Sequence, residues 1–168
     1  MLLGTKCPSW LYPITMGATT MWERWDSMLP DGSINPGSMT SFNHYALGSV
    51  GAWLHGTVGG ISPKEPGWKV IRFEPIPGGT VKWAKCRHES PYGEVKCEWK
   101  LEGGRLQVVV QVPLNCTGEV KLPETDEVQK VGSGVHEFVV EGHDAGDWPP
   151  KPLANPFTDP EKDEFEGK

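Results

Sequence analysis

Two neighbouring stretches, GEVKCEWKLE at residues 93–102 and RLQVVVQV at residues 105–112, decide how the second half of this chain folds. In both stretches apolar side chains recur at every second position, which is the period of a β-strand with one buried face. Gly103 and Gly104 lie between the two stretches and favour a turn. The sequence therefore predicts a pair of antiparallel strands at this point.

The same period of two extends on both sides of this pair, from about Gly67 to Glu141. Turn residues such as Gly78-Gly79 separate the segments from one another. Short strands at this spacing predict an antiparallel β-sandwich. Besides the pair above, the candidate strands are Trp68–Glu74, Thr80–Glu89, Gly118–Leu122, Glu127–Val131 and Val135–Glu141.

Residues 1–61 have a different composition, with five charged side chains against 33 in the 107 residues that follow. A small isolated domain needs a charged outer face, so this part resembles an inner layer of something larger. Apolar spacing and cap residues predict two helices, from about Trp10 to Met28 and from about Thr40 to Gly59. Pro13 and Gly17 weaken the first, which leaves a kink or a late start near Met16 open. Residues 29–37 between them are rich in turn-forming types.

The chain has 168 residues and a formal net charge of -6. Because nucleic acid and anionic membrane surfaces attract basic proteins, we expect neither as a partner. No apolar run reaches the length that spans a membrane, and Met1–Lys6 has no signal-peptide pattern. The sequence leaves an extracellular and a cytoplasmic location equally open.

The four cysteines fit neither a redox pair nor a zinc ligand set by their spacing. Cys86 and Cys97 fall on candidate neighbouring strands, where a disulfide and a pair of buried thiols are both open. Asn115-Cys116-Thr117 has the pattern of a glycosylation sequon, which alone does not place the protein outside the cell.

Glu23 lies in the most aromatic patch of the first part, TTMWERWD at residues 19–26. Flanking indoles are expected to shield this carboxylate from water, and desolvation is a common way to prepare a carboxyl group for proton exchange. Aromatic walls with a few polar groups also suit a sugar ring. The patch indicates a carbohydrate site, although a surface Glu whose stem is covered by an indole explains the same pattern.

Three features together resemble a known family. These are GATTMWERW at residues 17–25, MTSFNHYALG at residues 39–48, and a β-rich module that contains Ser90-Pro91-Tyr92-Gly93. In this order they are similar to the C-terminal end of an α-L-rhamnosidase of glycoside hydrolase family 78. The resemblance covers roughly residues 9–140, and its two long motifs make it specific.

The resemblance implies an α+β multidomain fragment, with the last helices of an (α/α)6 barrel followed by an antiparallel β-sandwich. Residues 1–62 would be the C-terminal helices of the six-hairpin barrel, and residues 66–141 would be the β-sandwich domain. Residues 142–168 form an acidic, Pro-rich tail that we expect to be disordered.

By the same resemblance, the enzyme is an inverting glycosidase that removes terminal α-L-rhamnose from glycosides. Glu23 would be its general base, His44 would contact the sugar, and Trp22 would line the pocket. The scheme requires no metal and no other cofactor. The family's general acid belongs to an earlier barrel helix, and residues 1–22 contain no acidic side chain. We therefore expect this fragment to be inactive without the N-terminal part of the same enzyme.

Two other interpretations are a non-catalytic carbohydrate-binding β-sandwich module and an inactive structural remnant. The length of the matched motifs favours the enzyme. Among single residues, we expect Arg24 to pair with Asp26 or a carbonyl, and Asp31-Gly32-Ser33 to form a turn and not a calcium loop. Large aromatics supply much of the apolar burial in any fold, and core positions are expected for Trp10, Trp53, Trp83 and Trp99.

Overall fold

The computed structural model of the chain describes residues 2–144. Eight strands form two four-stranded sheets, in the orders β1-β2-β6-β7 and β3-β4-β5-β8, which pack face to face as a sandwich. The strands are β1 Ile61–Pro63, β2 Val70–Phe73, β3 Trp83–Ser90, β4 Gly93–Glu102, β5 Arg105–Val112, β6 Thr117–Lys121, β7 Val128–Val131 and β8 Gly134–Val140.

The sheet β3-β4-β5-β8 is antiparallel throughout. Its two central strands, β4 and β5, have the bounds that the alternating pattern predicts. The other candidate strands also form, each within a few residues of the predicted range at either end. Period-two patterning was therefore a sufficient guide to this sheet, because more exposed and less exposed side chains alternate along its strands.

The sheet β1-β2-β6-β7 corrects the prediction of a purely antiparallel sandwich. β2 and β6 pair in parallel, with Val70 opposite Thr117 and Phe73 opposite Val120. The connection between them passes through β3, β4 and β5, so no hairpin fixes their relative direction. The three-residue strand β1, which the sequence analysis missed, pairs with β2 at the edge of this sheet.

The core lies between the two sheets. Its fully buried side chains come from both, with Phe73 and Ile71 on β2 facing Val108 and Val110 on β5. Trp99 on β4 is 3% exposed and is a core residue, as predicted. Burial of apolar area at roughly 25 cal/mol per Å² is the main stabilising contribution to such a core.

Two of the tryptophans expected in the core are instead at the surface. Trp53 is 50% exposed and Trp83 is 63% exposed. Trp83 opens β3 with its side chain on the outer face of the sheet, while its neighbour Ala84 takes the inner face. Strand alternation decides this, because only one of two successive residues can point inward.

Both helices differ from their predicted bounds. The first, α1, covers only Leu11–Thr15, and Gly17 beyond it has φ +83°, which is common where helices end. The second helical segment starts at Ala46, with a 3-10 turn Ala46–Ser49, α2 at Val50–Trp53 and a π turn Leu54–Val58. It starts later than Thr40 because the backbone of residues 41–44 bonds to residues 21–23 instead.

The second helical segment ends on the sandwich at two glycines. An ideal Cβ on Gly59 would lie 2.6 Å from the Cys86 sulfur, and one on Gly60 would lie 2.5 Å from the Pro75 nitrogen. The Trp99 indole donates to the Val58 carbonyl at 2.7 Å just before this point. These contacts fix the end of the helical segment against both sheets.

The four cysteines are all free thiols. Cys86 and Cys97 are opposite each other on β3 and β4, so the expected juxtaposition is confirmed and the thiol alternative holds. Burial raises the pKa of the Cys97 thiol to about 12. The sulfur of Cys97 is therefore protonated and unreactive at neutral pH.

The loop after Glu23 is held by one charged cluster. Arg24 Nε donates to Asp26 at 2.6 Å and a terminal Arg24 nitrogen donates to the Ser38 carbonyl at 3.2 Å, as the sequence predicted. The Asn35 amide also donates to Asp26, at 2.9 Å. Asp31 accepts the backbone N–H of Ser33 at 2.9 Å, which confirms the predicted turn.

The predicted barrel and the domain bounds 1–62 and 66–141 remain predictions. The strand β1 at Ile61–Pro63 spans the first of these boundaries. Of the predicted tail at 142–168, residues 145–168 lie outside the described residues. Within residues 2–144, no helix is long and apolar enough to span a membrane.

The junction gives a stability prediction. Gly60→Ala places a Cβ against the Pro75 backbone at a position with φ +73°. We expect the free energy of unfolding to fall by about 2 kcal/mol or more, because overpacking and left-handed strain act together. Gly56→Ala is the control, since its Cβ would meet nothing within 4 Å. Urea unfolding followed by tryptophan fluorescence compares them, and equal stabilities would contradict the role of the junction.

The charged loop gives a pH prediction. Hydrogen bonding to Arg24 holds the pKa of Asp26 below its ordinary value of 3.8. The stabilisation is therefore present above that value and is lost as the pH falls through the lower folded pKa. We expect Asp26→Asn to be less stable than the parent at pH 7, with the difference shrinking as the pH falls below 3.8. Urea unfolding over this range measures it, with exposed Glu65→Gln as the control. A difference that is constant with pH would contradict the assignment.

Candidate active site

Two loop segments, residues 20–23 and residues 41–44, lie side by side ahead of the second helical segment. The Glu23 N–H donates to the Ser41 carbonyl at 2.9 Å, and the His44 N–H donates to the Met21 carbonyl at 2.8 Å. The Thr20 hydroxyl donates to the Phe42 carbonyl between them. These backbone contacts join the two motifs that are separate in the sequence.

The Glu23 carboxylate occupies the centre of this pairing. Its Oε2 accepts the backbone N–H of Ser41 at 3.1 Å. Its Oε1 lies 3.8 Å from His44 Nε2. The side chain is 19% exposed, so solvent reaches the carboxylate although most of its surface is covered. One oxygen is therefore fixed by a backbone donor, and the other faces the imidazole.

His44 has a defined orientation. Its Nδ1 accepts the backbone N–H of Ala46 at 3.2 Å, which leaves the proton of a neutral ring on Nε2. The ring stacks on Tyr45, with centroids 5.5 Å apart and planes 5° from parallel. The Nε2–H donor is thereby directed to the same region as Glu23 Oε1.

Trp22 is placed differently from the two polar residues. It is 3% exposed, and its indole meets Phe42 edge-on at 5.1 Å and Tyr12 at 6.4 Å. The Tyr12 hydroxyl donates to the Met28 carbonyl at 2.8 Å. In the described residues, Trp22 therefore packs beneath the paired segments, and its predicted contact with a sugar is untested.

A second aromatic pair connects the paired segments to the helical segment. Trp10 and Trp25 meet edge-on at 4.6 Å, and the Trp10 indole donates to the Leu47 carbonyl at 2.8 Å. Aromatic pairs of this kind add about 0.5–1.5 kcal/mol beyond the area that they bury. The segment with Glu23 is thus held by the contact of Trp25 with Trp10 as well as by the backbone of residues 41–44.

The arrangement has the elements of a proton-transfer site. A carboxylate held by a single backbone N–H retains a free oxygen that can accept a proton from water. An imidazole N–H beside it can donate to a hydroxyl group. Sequence reasoning named Glu23 and His44 as candidates, and the structure brings them together. It missed the backbone donors of Ser41 and Ala46, which no side-chain motif signals.

No cluster of three or more His, Cys, Asp or Glu side chains that could hold a metal ion occurs within the described part of the chain. The concavities of about 460 and 540 Å³ lie on the sandwich, along β6 and its neighbours. Glu23 lines neither of these two concavities.

Comparison with known proteins shows two adjoining family matches. Residues 1–58 match the six-hairpin glycosidase domain of bacterial α-L-rhamnosidase, and residues 60–137 match the C-terminal domain of bacterial α-L-rhamnosidase. Gly59 lies between the two matches, and Gly60 is the first residue of the second.

Individual α-L-rhamnosidases are also similar to this chain. An α-L-rhamnosidase of Streptomyces avermitilis is 42% identical over 151 residues, which cover 79% of this chain and 15% of that protein. One of Formosa agariphila is 41% identical over 123 residues, covering 73% of this chain and 13% of that protein. The chain thus spans about one-seventh of the length of these relatives.

Solved structures of α-L-rhamnosidases are similar to the fold of this chain. The native α-L-rhamnosidase of Aspergillus terreus has a TM-score of 0.80 at 55% identity, covering 83% of this chain and 16% of that chain. The Streptomyces avermitilis α-L-rhamnosidase in complex with L-rhamnose has a TM-score of 0.76 at 39% identity, covering 83% of this chain and 15% of that chain. With the two adjoining family matches, these likenesses place the chain in the α-L-rhamnosidase family of glycoside hydrolases, as a C-terminal portion of it.

Proposed function

We propose that this chain supplies the general base and one sugar contact of an inverting α-L-rhamnosidase, which releases terminal α-L-rhamnose from glycosides. Glu23 is the base and His44 is the sugar contact. The observation that carries the proposal is their convergence, with Glu23 Oε1 and His44 Nε2 3.8 Å apart although 20 positions separate them in the sequence.

Inversion requires a water molecule on the face of the sugar opposite the leaving group. The base removes a proton from this water as it attacks the anomeric carbon, and a second carboxyl group protonates the departing oxygen. Glu23 suits the first role because Ser41 fixes Oε2 at 3.1 Å and leaves Oε1 available. Such a backbone anchor orients the carboxylate without neutralising it.

His44 suits the recognition of a sugar hydroxyl. Because Nδ1 accepts the Ala46 N–H, the proton of a neutral ring is on Nε2, on the side of Glu23 Oε1, and the ring needs no rearrangement before it donates. Trp22 keeps its proposed place in the site as a pocket residue, and its packing against Phe42 also supports the loop that presents His44.

The second carboxyl group belongs, in this proposal, to the part of the enzyme that the chain does not span. In inverting glycosidases it stands roughly 6.5–9.5 Å from the base. Exposed apolar side chains on the first part of the chain support a larger assembly, among them Ile14 at 64%, Tyr45 at 87% and Trp53 at 50% exposure. Apolar surface of this kind is typical of a region that packs against more protein.

The first prediction concerns the chain alone. We expect the 168-residue polypeptide to release no measurable rhamnose from an aryl α-L-rhamnoside, because only one of two proton-transfer groups is present. The same assay on the polypeptide extended by the upstream barrel is expected to show turnover. Turnover by the short chain at an ordinary glycosidase rate would contradict the proposal.

The second prediction concerns Glu23 in the extended enzyme. We expect Glu23→Gln to lower kcat by about 10²–10⁴-fold, the usual contribution of general acid–base catalysis. Glu65→Gln, on an exposed loop, is the matched control and should keep the parent kcat. A Glu23→Gln enzyme within about tenfold of the parent rate would show that another group activates the water.

A further inference from the structure

The indole of Trp83 lies on the outer face of the sheet β3-β4-β5-β8 and is not part of the core. Trp83 is 63% exposed, and the core beneath it is closed by Trp99 from the adjacent strand. An exposed Trp forfeits most of the 150–250 Å² that such a side chain can bury. The Trp83 indole is therefore open to contact with a ligand.

Polar side chains surround this indole on three neighbouring strands. Lys100 is opposite Trp83 in the register of β3 with β4, and Glu98 is opposite Lys85. The Lys85 ammonium lies 3.1 Å from the Glu98 carboxylate. Gln107 on β5 is opposite Lys100, so alternation puts all of these side chains on one face.

The same residues, together with Val109, line a shallow concavity of about 290 Å³. Its size fits one small ring, and its lining combines an indole with donors and acceptors of hydrogen bonds. The Gln107 amide is already oriented, because it donates to Glu137 at 2.5 Å. A pocket with one aromatic wall and few converging polar groups is the usual pattern for a small polar ligand with an apolar face.

Three carboxylates, Glu98, Glu102 and Glu137, lie around the concavity against two ammonium groups, Lys85 and Lys100. Lys85 is paired with Glu98, and Lys100 lies 2.6 Å from Glu102. A phosphate, a nucleic acid or a uronate would find no net positive field here. A neutral pyranose matches this surface. Its C–H groups can stack on the indole, and its hydroxyls can form hydrogen bonds with the amide, ammonium and carboxylate groups.

We propose that the Trp83 face is an accessory binding site for a neutral pyranose unit, separate from Glu23 and His44. The site lies wholly on the sandwich, whereas the two catalytic-site residues lie on loops that precede the second helical segment. It would hold a sugar chain without cleaving it. This proposal does not depend on whether Glu23 is the base.

Affinity electrophoresis of the 168-residue chain tests the proposal, with a neutral rhamnose-bearing polysaccharide cast in a native gel. The parent chain is expected to be retarded. Trp83→Ala should bind about tenfold more weakly, as expected for removal of a central aromatic contact, and Trp83→Phe should keep part of the retardation. Trp53→Ala removes another exposed indole, on the second helical segment, and is the matched control, which should migrate as the parent does. Circular dichroism confirms that each variant is folded.

Three outcomes would overturn the proposal. One is a parent chain that the polysaccharide does not retard. The second is a Trp83→Ala variant retarded as strongly as the parent. The third is retardation lost in His44→Ala but kept in Trp83→Ala, which would locate sugar binding at the Glu23 loop instead.

Discussion

The close approach at Gly59 and Gly60 is the constraint on which the rest of the structure depends. Backbone and sulfur atoms occupy the space where side chains would stand, so only glycine lets the helical segment end directly on the sandwich. The Trp99 indole, buried between the sheets, donates to Val58 at the same point. The sandwich core, which contains most of the fully buried side chains within residues 2–144, thereby holds the end of a segment that has no buried residue of its own.

The candidate site depends on that support through two further contacts. The Trp10 indole binds the Leu47 carbonyl near the start of the helical segment, and the His44 N–H binds Met21. Each contact fixes a loop that has no core of its own. The Glu23 carboxylate is therefore positioned by backbone hydrogen bonds and aromatic packing and not by a regular helix. In the proposed function, a loop would carry the chemistry and a rigid scaffold would position it.

The sequence predicted the sandwich well because the side chains on the inner face of a strand are less exposed than those on its outer face, which gives the strand a period of two. β4 and β5 form at the predicted residues, and the register places Cys86 opposite Cys97. It could not predict the parallel pairing of β2 with β6, because pairing across a long connection leaves no local signal. It overestimated both helices, since apolar spacing does not reveal that residues 41–44 pair with residues 21–23. It named Glu23 and His44 by resemblance, but their backbone anchors at Ser41 and Ala46 are visible only in the fold.

The central claim is that Glu23 activates the attacking water. Its most direct test is azide rescue of Glu23→Ala in the enzyme extended by the upstream barrel. Azide can attack without a base, so the account predicts that it restores turnover of an aryl α-L-rhamnoside and that the product is β-L-rhamnosyl azide, with inverted configuration. Two results would contradict the account: an α-configured azide product, or a Glu23→Ala enzyme that turns over at nearly the parent rate without azide.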